Sequence, residues 1–456
     1  MAALSIPFEL LSKIFSFAYD GITNAGFVNV CSYWRAVALA SPRLWSHVTV
    51  RNSSKGLVAI LERSQPCPLT IRATLEDDPS YVIPVPGQQF PTLTDELQPR
   101  MMTTRKISPD LHKILEILFS HSQRWSDVIL RLSPTLFHFL DDLNGSFPIL
   151  QKMHIEMVYP AEFLDGLPIV SSNAFAVTPQ LTQLVISNIR SGVKISASNL
   201  RTVHITKFAT LEQIFETVRE APYLTKLVAT RVQNRIINEN VPRSRTPIVH
   251  NSLREIEFHR IHGVGFLLLS LILPNLDSFI LDEFDEMGDH TIIHLLSIFF
   301  TASLSPLQKF SLRGIMPSED IFLLLRAIPT VTDIVISQNM HNHDAIRFGE
   351  LVASALLANG GLLPQIRSLD LYATAYPEDD VHDELTGSIF ADMIASRWEN
   401  SSQVVKLEHV RVGGYKHGFG TSAIERFESF KRQGLDISWV GRGMSLPEET
   451  PLINVE

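Results

Sequence analysis

The feature that most constrains this chain is a six-residue phrase, L-x-x-L-x-L, that returns from residue 150 almost to the C-terminus. Its apolar positions are Leu150/Met153/Ile155, Leu181/Leu184/Ile186, Leu200/Val203/Ile205, Leu224/Leu227/Ala229 and Leu253/Ile256/Phe258. They continue as Leu276/Phe279/Leu281, Leu307/Phe310/Leu312, Val331/Ile334/Ile336 and Ile366/Leu369/Leu371, with Val404/Leu407/His409 as a terminal copy. The second half of each phrase alternates, as a strand with one buried face requires. Copies recur at about 19 to about 38 residues, and helical stretches such as 211–221 and 291–300 fill the gaps. A strand and a helix of this size cannot bury their apolar faces alone, so neighbouring copies must stack. The expected fold class is α/β, an irregular solenoid with parallel strands inside and helices outside. A doubly wound α/β domain alternates in the same way, but the number and regularity of the phrases favour the solenoid. Strands at 45–50 and 125–132 share the pattern, so the repeat region is expected to run from about residue 46 to 440.

Hydrophobic residues make up 45% of the chain and charged residues 19%, enough to build a large core. A net charge of -9 argues against nucleic acid as the main partner, because phosphate backbones demand a basic surface. Two cysteines, Cys31 and Cys67, are too few for a disulfide framework, which favours cytosol or nucleus. The N-terminus has no basic segment followed by an apolar run and does not read as a signal peptide. The most apolar run, 265–273, stops at Pro274 and is too short for a bilayer span; a buried helix is expected there.

Three segments interrupt the pattern. Residues 79–109 carry Pro79, Pro84, Pro86, Pro91, Pro99 and Pro109, which exclude a regular helix or central strand and predict a surface excursion. Residues 231–245 concentrate four arginines around Pro242, suited to a solvated loop or an acidic partner. The tail at 441–456 is acidic.

The first 45 residues differ in kind. Ile6, Pro7, Leu10, Leu11, Ile14, Phe15 and Ala18 have helical spacing, with Ser5 placed to cap and Pro7 at a position needing no N–H. A second helix is expected over 27–39, and 41–45 closes the segment. Helices this short need partners for Trp34 and Trp45, either the rest of the chain or another protein. The pattern leaves both open.

The order I-P-x-E-L-L-x-x-I-F, V-C-x-x-W-R-x-x-A and P-R-L-W resembles the F-box motif, especially the form abundant in mushroom-forming fungi. The repeat region resembles leucine-rich repeats, and His121 to Trp125 resembles the start of that region in the fungal relatives. Ile6 stands where the family usually has Leu. Gly26 falls where the family has a regular helix start, at a cost of about 1 kcal/mol relative to Ala. The resemblance implies that Ile6, Pro7, Leu10, Leu11, Ile14, Phe15, Val30, Cys31, Trp34, Leu44 and Trp45 dock the Skp adaptor, which bridges to a cullin scaffold. The implied role is a substrate-recognition adaptor of a Skp-cullin-F-box ubiquitin ligase. The alternative is an interaction scaffold whose F-box acts outside a ligase.

Alternate positions of the strands face away from the leucines and would line the concave side of a solenoid. The candidate partner-binding set there is His154, Glu156, His204, Lys226, Glu255, Glu257, His259, Asp282, Lys309, Arg313, Asp370 and Tyr372. Their mixed charge suits a protein partner. No G-x-S-x-G, Walker, H-E-x-x-H or paired C-x-x-C motif is present. The glycine-rich stretch 413–420 lacks G-K-[ST], and His341 to Asp344 lies in one loop without further ligands. Asp282 to Glu286 with Asp289 and His290 reads as a solvated loop. The expectation is a non-catalytic protein without cofactor or metal.

Overall fold

A computed structural model of the chain describes residues 6–18, 26–76, 109–143, 145–158, 172–189, 194–207, 209–232, 246–261, 263–284, 291–314, 321–339, 344–357, 362–374, 383–399, 404–413 and 419–440. The predicted excursion at 79–109 (but for Pro109), residues 233–245 of the arginine loop, Ser5 and the acidic tail lie outside them. Among the described residues no helix is long and apolar enough to cross a membrane.

The chain packs as two compact units, Met1–Leu224 and Thr225–Glu456. In the first, β1 (His47–Arg51), β2 (Leu69–Leu75), β3 (Trp125–Leu132), β4 (Lys152–Met157), β5 (Gln183–Ser187) and β6 (Thr202–Thr206) pair in chain order, every pair parallel. Helices α1 (Phe8–Ala18), α2 (Ser32–Leu39), α3 (Leu57–Arg63), α4 (Pro109–Phe119), α5 (Pro134–Phe137) and α6 (Leu211–Glu220) belong to the same unit. The second holds β7 (Lys226–Thr230), β8 (Ile248–Val249), β9 (Glu255–His259), β10 (Leu271–Ile272), β11 (Ser278–Phe284), β12 (Lys309–Gly314), β13 (Asp333–Asn339), β14 (Ser368–Thr374), β15 (His409–Gly413) and β16 (Asp436–Val440). There β7-β9-β11-β12-β13-β14-β15-β16 form a parallel ladder, and β8 pairs only with β10. Its helices are α7 (Val264–Leu269), α8 (Thr291–Ser303), α9 (Ile321–Ala327), α10 (Asp344–Ala355), α11 (Asp383–Glu399) and α12 (Thr421–Arg432). The expected α/β class with parallel strands is what forms.

The first leucine of each phrase is not in its strand. In most copies it closes a turn, its N–H bonding the carbonyl three residues back, as in Leu150 to Phe147, Leu224 to Ala221, Leu276 to Leu273 and Ile366 to Leu363, while Leu253 N bonds His250 Nδ1 instead. Proline often sits at the second position of that turn (Pro148, Pro222, Pro274, Pro364), where its fixed φ suits a β-turn and its missing N–H is not needed. The next residue offers one carbonyl to two N–H groups of the following copy. Asp277 O, for instance, accepts from Gln308 N (2.8 Å) and Lys309 N (3.0 Å), and the same fork recurs at Gln151, Thr182, Thr225, Arg254, Gln308, Thr332 and Arg367. After the strand the chain leaves through a residue with positive φ at Asn188, Lys207, Arg231 and Arg260. Only one of these is the Asn that relieves such a conformation, so left-handed geometry is imposed on Lys and Arg by the ladder.

The inward positions are buried throughout, and bulky ones replace leucine where helices leave room. Phe279 stacks on Phe310 (6.0 Å, 10°) and meets Phe300 of α8 edge-on at 5.3 Å. Helix α6 begins at Thr210, whose hydroxyl accepts from Gln213 N, and buries Leu211, Ile214, Phe215 and Val218. Three expectations are corrected. The apolar run 265–273 is no single helix: α7 ends at Leu269 because Leu273–Pro274 starts the next turn, and Leu271–Ile272 become β10. The terminal copy is shifted by three, with Leu407 buried before the strand and Val410 and Val412 pointing inward from β15. Strand β2, between β1 and β3, and strand β16, beyond β15, join the pairing without carrying the leucine phrase.

Arg397 of α11 is fully buried. Its guanidinium donates to the carbonyls of Leu356, Leu362 and Leu363 and so fastens the end of α10 to the turn before β14. Burial pushes its pKa down to about 10, which leaves it charged at neutral pH. Replacing Arg397 by Ala strands three carbonyls, and the expected loss is about 3–5 kcal/mol. Urea unfolding followed by tryptophan fluorescence checks this; Arg397→Lys, which lacks the planar fork, is expected to recover only part.

Candidate functional site

Two surfaces carry the sequence candidates, one on the N-terminal helices and one on the sheet face away from the core.

The N-terminal segment is α1, a 3₁₀ turn at Gly26–Asn29, α2, and a 3₁₀ turn at Pro42–Trp45. The helix expected over 27–39 is broken at Cys31, which is extended (φ -158°, ψ 169°) and caps α2 by accepting Trp34 N on Sγ. Leu11, Phe15, Val37, Ala38 and Leu44 form the interior, with Ile6, Phe27, Val28, Tyr33, Trp34 and Trp45 packed against it. Phe15 stacks on Phe27 at 4.4 Å and meets Trp34 edge-on at 5.2 Å. Tyr33 Oη donates to Ile6 O, and Trp45 Nε1 to Ala38 O, both at 2.9 Å.

The expected docking set therefore divides. Leu11, Phe15 and Leu44 are buried and hold the segment together; they are not surface. Ile6, Cys31, Trp34 and Trp45 are half-buried, while Pro7, Leu10, Ile14 and Val30 are exposed. Leu10 is 53%, Ile14 48% and Val30 58% accessible, and Phe17 one turn on reaches 91%. Phe8 and Leu39, also exposed, were not in the predicted set. The single stripe read from the sequence is thus two: Leu11 and Phe15 face in, Leu10, Ile14 and Phe17 face out. The spacing 10, 14, 17 was visible in the sequence, but it overlaps the inward spacing 11, 15.

On the sheet, register sets the outward residues in rows. His154, Glu156 and His204 lie in the first unit and the remaining candidates in the second. His154 is 8% exposed although it points outward, since Ile129 and Val185 are its partners on the neighbouring strands. Burial lowers its pKa, so the ring is neutral, with Nε2 3.3 Å from Ser187 Oγ. Glu156 meets Arg131 Nε at 3.0 Å and Asn188 Nδ2 at 3.3 Å.

Five candidates of the second unit converge. Lys226 Nζ lies 2.6 Å from Glu257 and 3.2 Å from Glu255. His259 Nδ1 is 3.4 Å from Asp282 Oδ2, and its Nε2 is 4.0 Å from Glu257. Asp282 foremost, then Glu257, raises His259 to about 9. The His259 imidazolium and, after it, Lys226 hold the Glu257 carboxyl down to about 2. Farther along, Asp370 lies 3.8 Å from Arg411. Arg313 stands in register with Asp282, Tyr372 with Ser337, and Lys309 with Asp333.

Thr230, His259 and Asp282 occupy one row on three neighbouring strands, an order that suggests a hydroxyl nucleophile with its base. The base is absent in effect: a histidine protonated up to about pH 9 cannot take a hydroxyl proton at neutral pH. Among the described residues no group of three or more His, Cys, Asp or Glu is arranged to hold a metal ion. Of the other motifs, 341–343, 414–418 and 285–290 lie outside the described residues.

No protein-family model matches the chain, and no curated protein is significantly similar to it in sequence.

The raised His259 pKa has a definite sign. The folded state binds this proton more tightly than the unfolded chain, so the stabilisation is complete below about pH 6.5 and disappears as pH rises through about 9. The loss across that window is on the order of 2–3 kcal/mol. An NMR titration of the native chain is expected to place the His259 midpoint near 9. Asp282→Asn is expected to lower that midpoint and flatten the stability decline.

Proposed function

We propose that the chain is an F-box-type adaptor whose N-terminal helices dock the Skp adaptor, and through it a cullin, while a leucine-rich-repeat-like solenoid presents a captured protein for ubiquitin transfer. The observation that carries this reading is the set of exposed apolar side chains, Leu10, Ile14 and Phe17 on α1 with Pro7 before it and Val30 beyond, on a segment that already has its own interior. Each large side chain on it would gain roughly 1.5–3 kcal/mol on burial, and several sit on one helix at the spacing of a helix-in-groove contact. A segment that served only to cap the repeats would turn such residues toward them.

On this reading the chain supplies no reacting group, and acceleration comes from holding substrate near the transferring subunits. The compartment is cytosol or nucleus, where that machinery works, and neither nucleic acid nor membrane is required.

A pull-down of the full chain with purified Skp adaptor tests the reading. The native chain is expected to bind at micromolar concentration or better. Leu10→Asp with Ile14→Asp should weaken binding by about 100-fold or more while leaving the melting temperature within a few degrees, because both side chains are exposed. Phe15→Ala should instead destabilise the segment itself, by about 3–5 kcal/mol. Absence of binding by the native chain would end the proposal.

A further inference from the structure

The loops that lead into β4 and β5 enclose a cavity of about 340 Å³. Its walls are Asp141, Leu143 and Gly145 on one side and Asn173, Ala176 and Val177 on the other. Buried rings fix these walls relative to each other. Phe147, two residues after Gly145, packs on Phe175 with 5.1 Å between ring centroids, and Phe119 of α4 meets Phe147 edge-on at 5.9 Å. A side chain at Gly145 would place its Cβ 2.4 Å from the Phe147 ring, so this part of the wall must stay bare. The cavity is built into the packing of the loops.

Asp141 belongs to the 3₁₀ turn His138–Asp142. Its Oδ1 accepts two bonds from the opposite loop, from Ser172 Oγ at 2.9 Å and Asn173 N at 2.6 Å. Ser172 is fully buried and its Oγ accepts from Ala174 N, so the carboxylate is held in one orientation. These bonds use one oxygen only. Among the described residues Oδ2 has no partner, and no cation lies within 4 Å of the carboxylate. The side-chain amide of Asn173, on the adjoining wall, also has no partner among the described residues. Aliphatic groups complete the lining: Val177 is 75% exposed and Leu143 is half-buried.

We propose that this cavity receives an arginine side chain of a partner protein. The planar guanidinium can donate to Asp141 Oδ2 and to the carbonyl oxygen of the Asn173 side chain together, while its apolar stem lies against Val177 and Leu143. An ammonium is a point charge without that fork and would use the pair of acceptors less well. Binding breaks no existing ion pair, because the carboxylate has none to give up. The volume stands at the low end of ligand pockets and suits one side chain. A chain of net charge -9 favours the approach of a basic partner. No residue of the N-terminal helices takes part, so the proposal does not require the adaptor reading.

Saturation-transfer NMR on the full chain tests this with Nα-acetyl-arginine methylamide and its uncharged isostere, Nα-acetyl-citrulline methylamide. The arginine probe is expected to bind with a Kd of roughly 1 mM or tighter, and the citrulline probe at least about fivefold more weakly. Asp141→Asn keeps an oxygen for Ser172 and for Asn173 N but removes the charge, and should weaken the arginine probe by at least about fivefold. Val177→Arg puts a competing cation at an exposed position of the lining and should do the same without altering the melting temperature. Asp142→Asn, at the neighbouring exposed carboxylate outside the lining, should leave binding within about twofold. Four results would overturn the proposal: no saturation transfer, equal binding of the citrulline probe or of Nα-acetyl-lysine methylamide, unchanged binding in the Asp141 and Val177 variants, or an equal loss in the Asp142 variant.

Discussion

A single forked carbonyl organises both units. At Gln151, Thr182, Thr225, Arg254, Asp277, Gln308, Thr332 and Arg367 the residue after the turn position gives its carbonyl to two successive N–H groups of the next copy, and this fixes the parallel register of the strands on either side. Once register is fixed, inward and outward positions are fixed with it, because side chains alternate along each strand. The leucines then meet their helices, and the outward residues fall into rows. The rows explain why Lys226, Glu255, Glu257, His259 and Asp282, far apart in sequence, form one charged network. That grouping cannot be read from any one segment.

How much the sequence discloses follows from which interactions leave a periodic trace. Alternating burial does, so most strands were legible from the leucine phrase, as was α6 from its amphipathic spacing. Where the trace is weak the reading slipped. At β15 the valines Val404 and Val405 imitate a phrase start, yet Leu407 is the buried residue that leads into the strand. The first strands escaped in part because β2 has Leu69, Ile71 and Ala73 without the preceding turn leucine. Backbone events leave almost no trace: nothing in 27–39 announces that Cys31 will be extended and cap a new helix. Arg397 is the extreme case. In sequence it is one more charge near a helix end, and only the fold turns three carbonyls toward it.

Among the candidate residues the same distinction separates packing from surface. The N-terminal motif lists residues by position, but its helices must first satisfy their own interior. Leu11, Phe15 and Leu44 serve that need, and Leu10, Ile14 and Phe17 are what remains to face outward. On the sheet, polarity at alternate positions predicts which residues are outward but not which are accessible. His154 is covered by its neighbours, and Glu257 and His259 are engaged with each other and with Lys226 and Asp282.

The spacing of the copies varies about twofold, yet neighbouring strands within each unit's ladder all pair in parallel. The forked carbonyl links copies through residues beside the strands, so the hydrogen-bonded lattice is indifferent to how much chain passes between them. Residues can be inserted or deleted in those connections without shifting a strand by one position. Such a chain is free to diverge in length faster than in pattern, and aligning two distant descendants position by position would fail long before their folds differed.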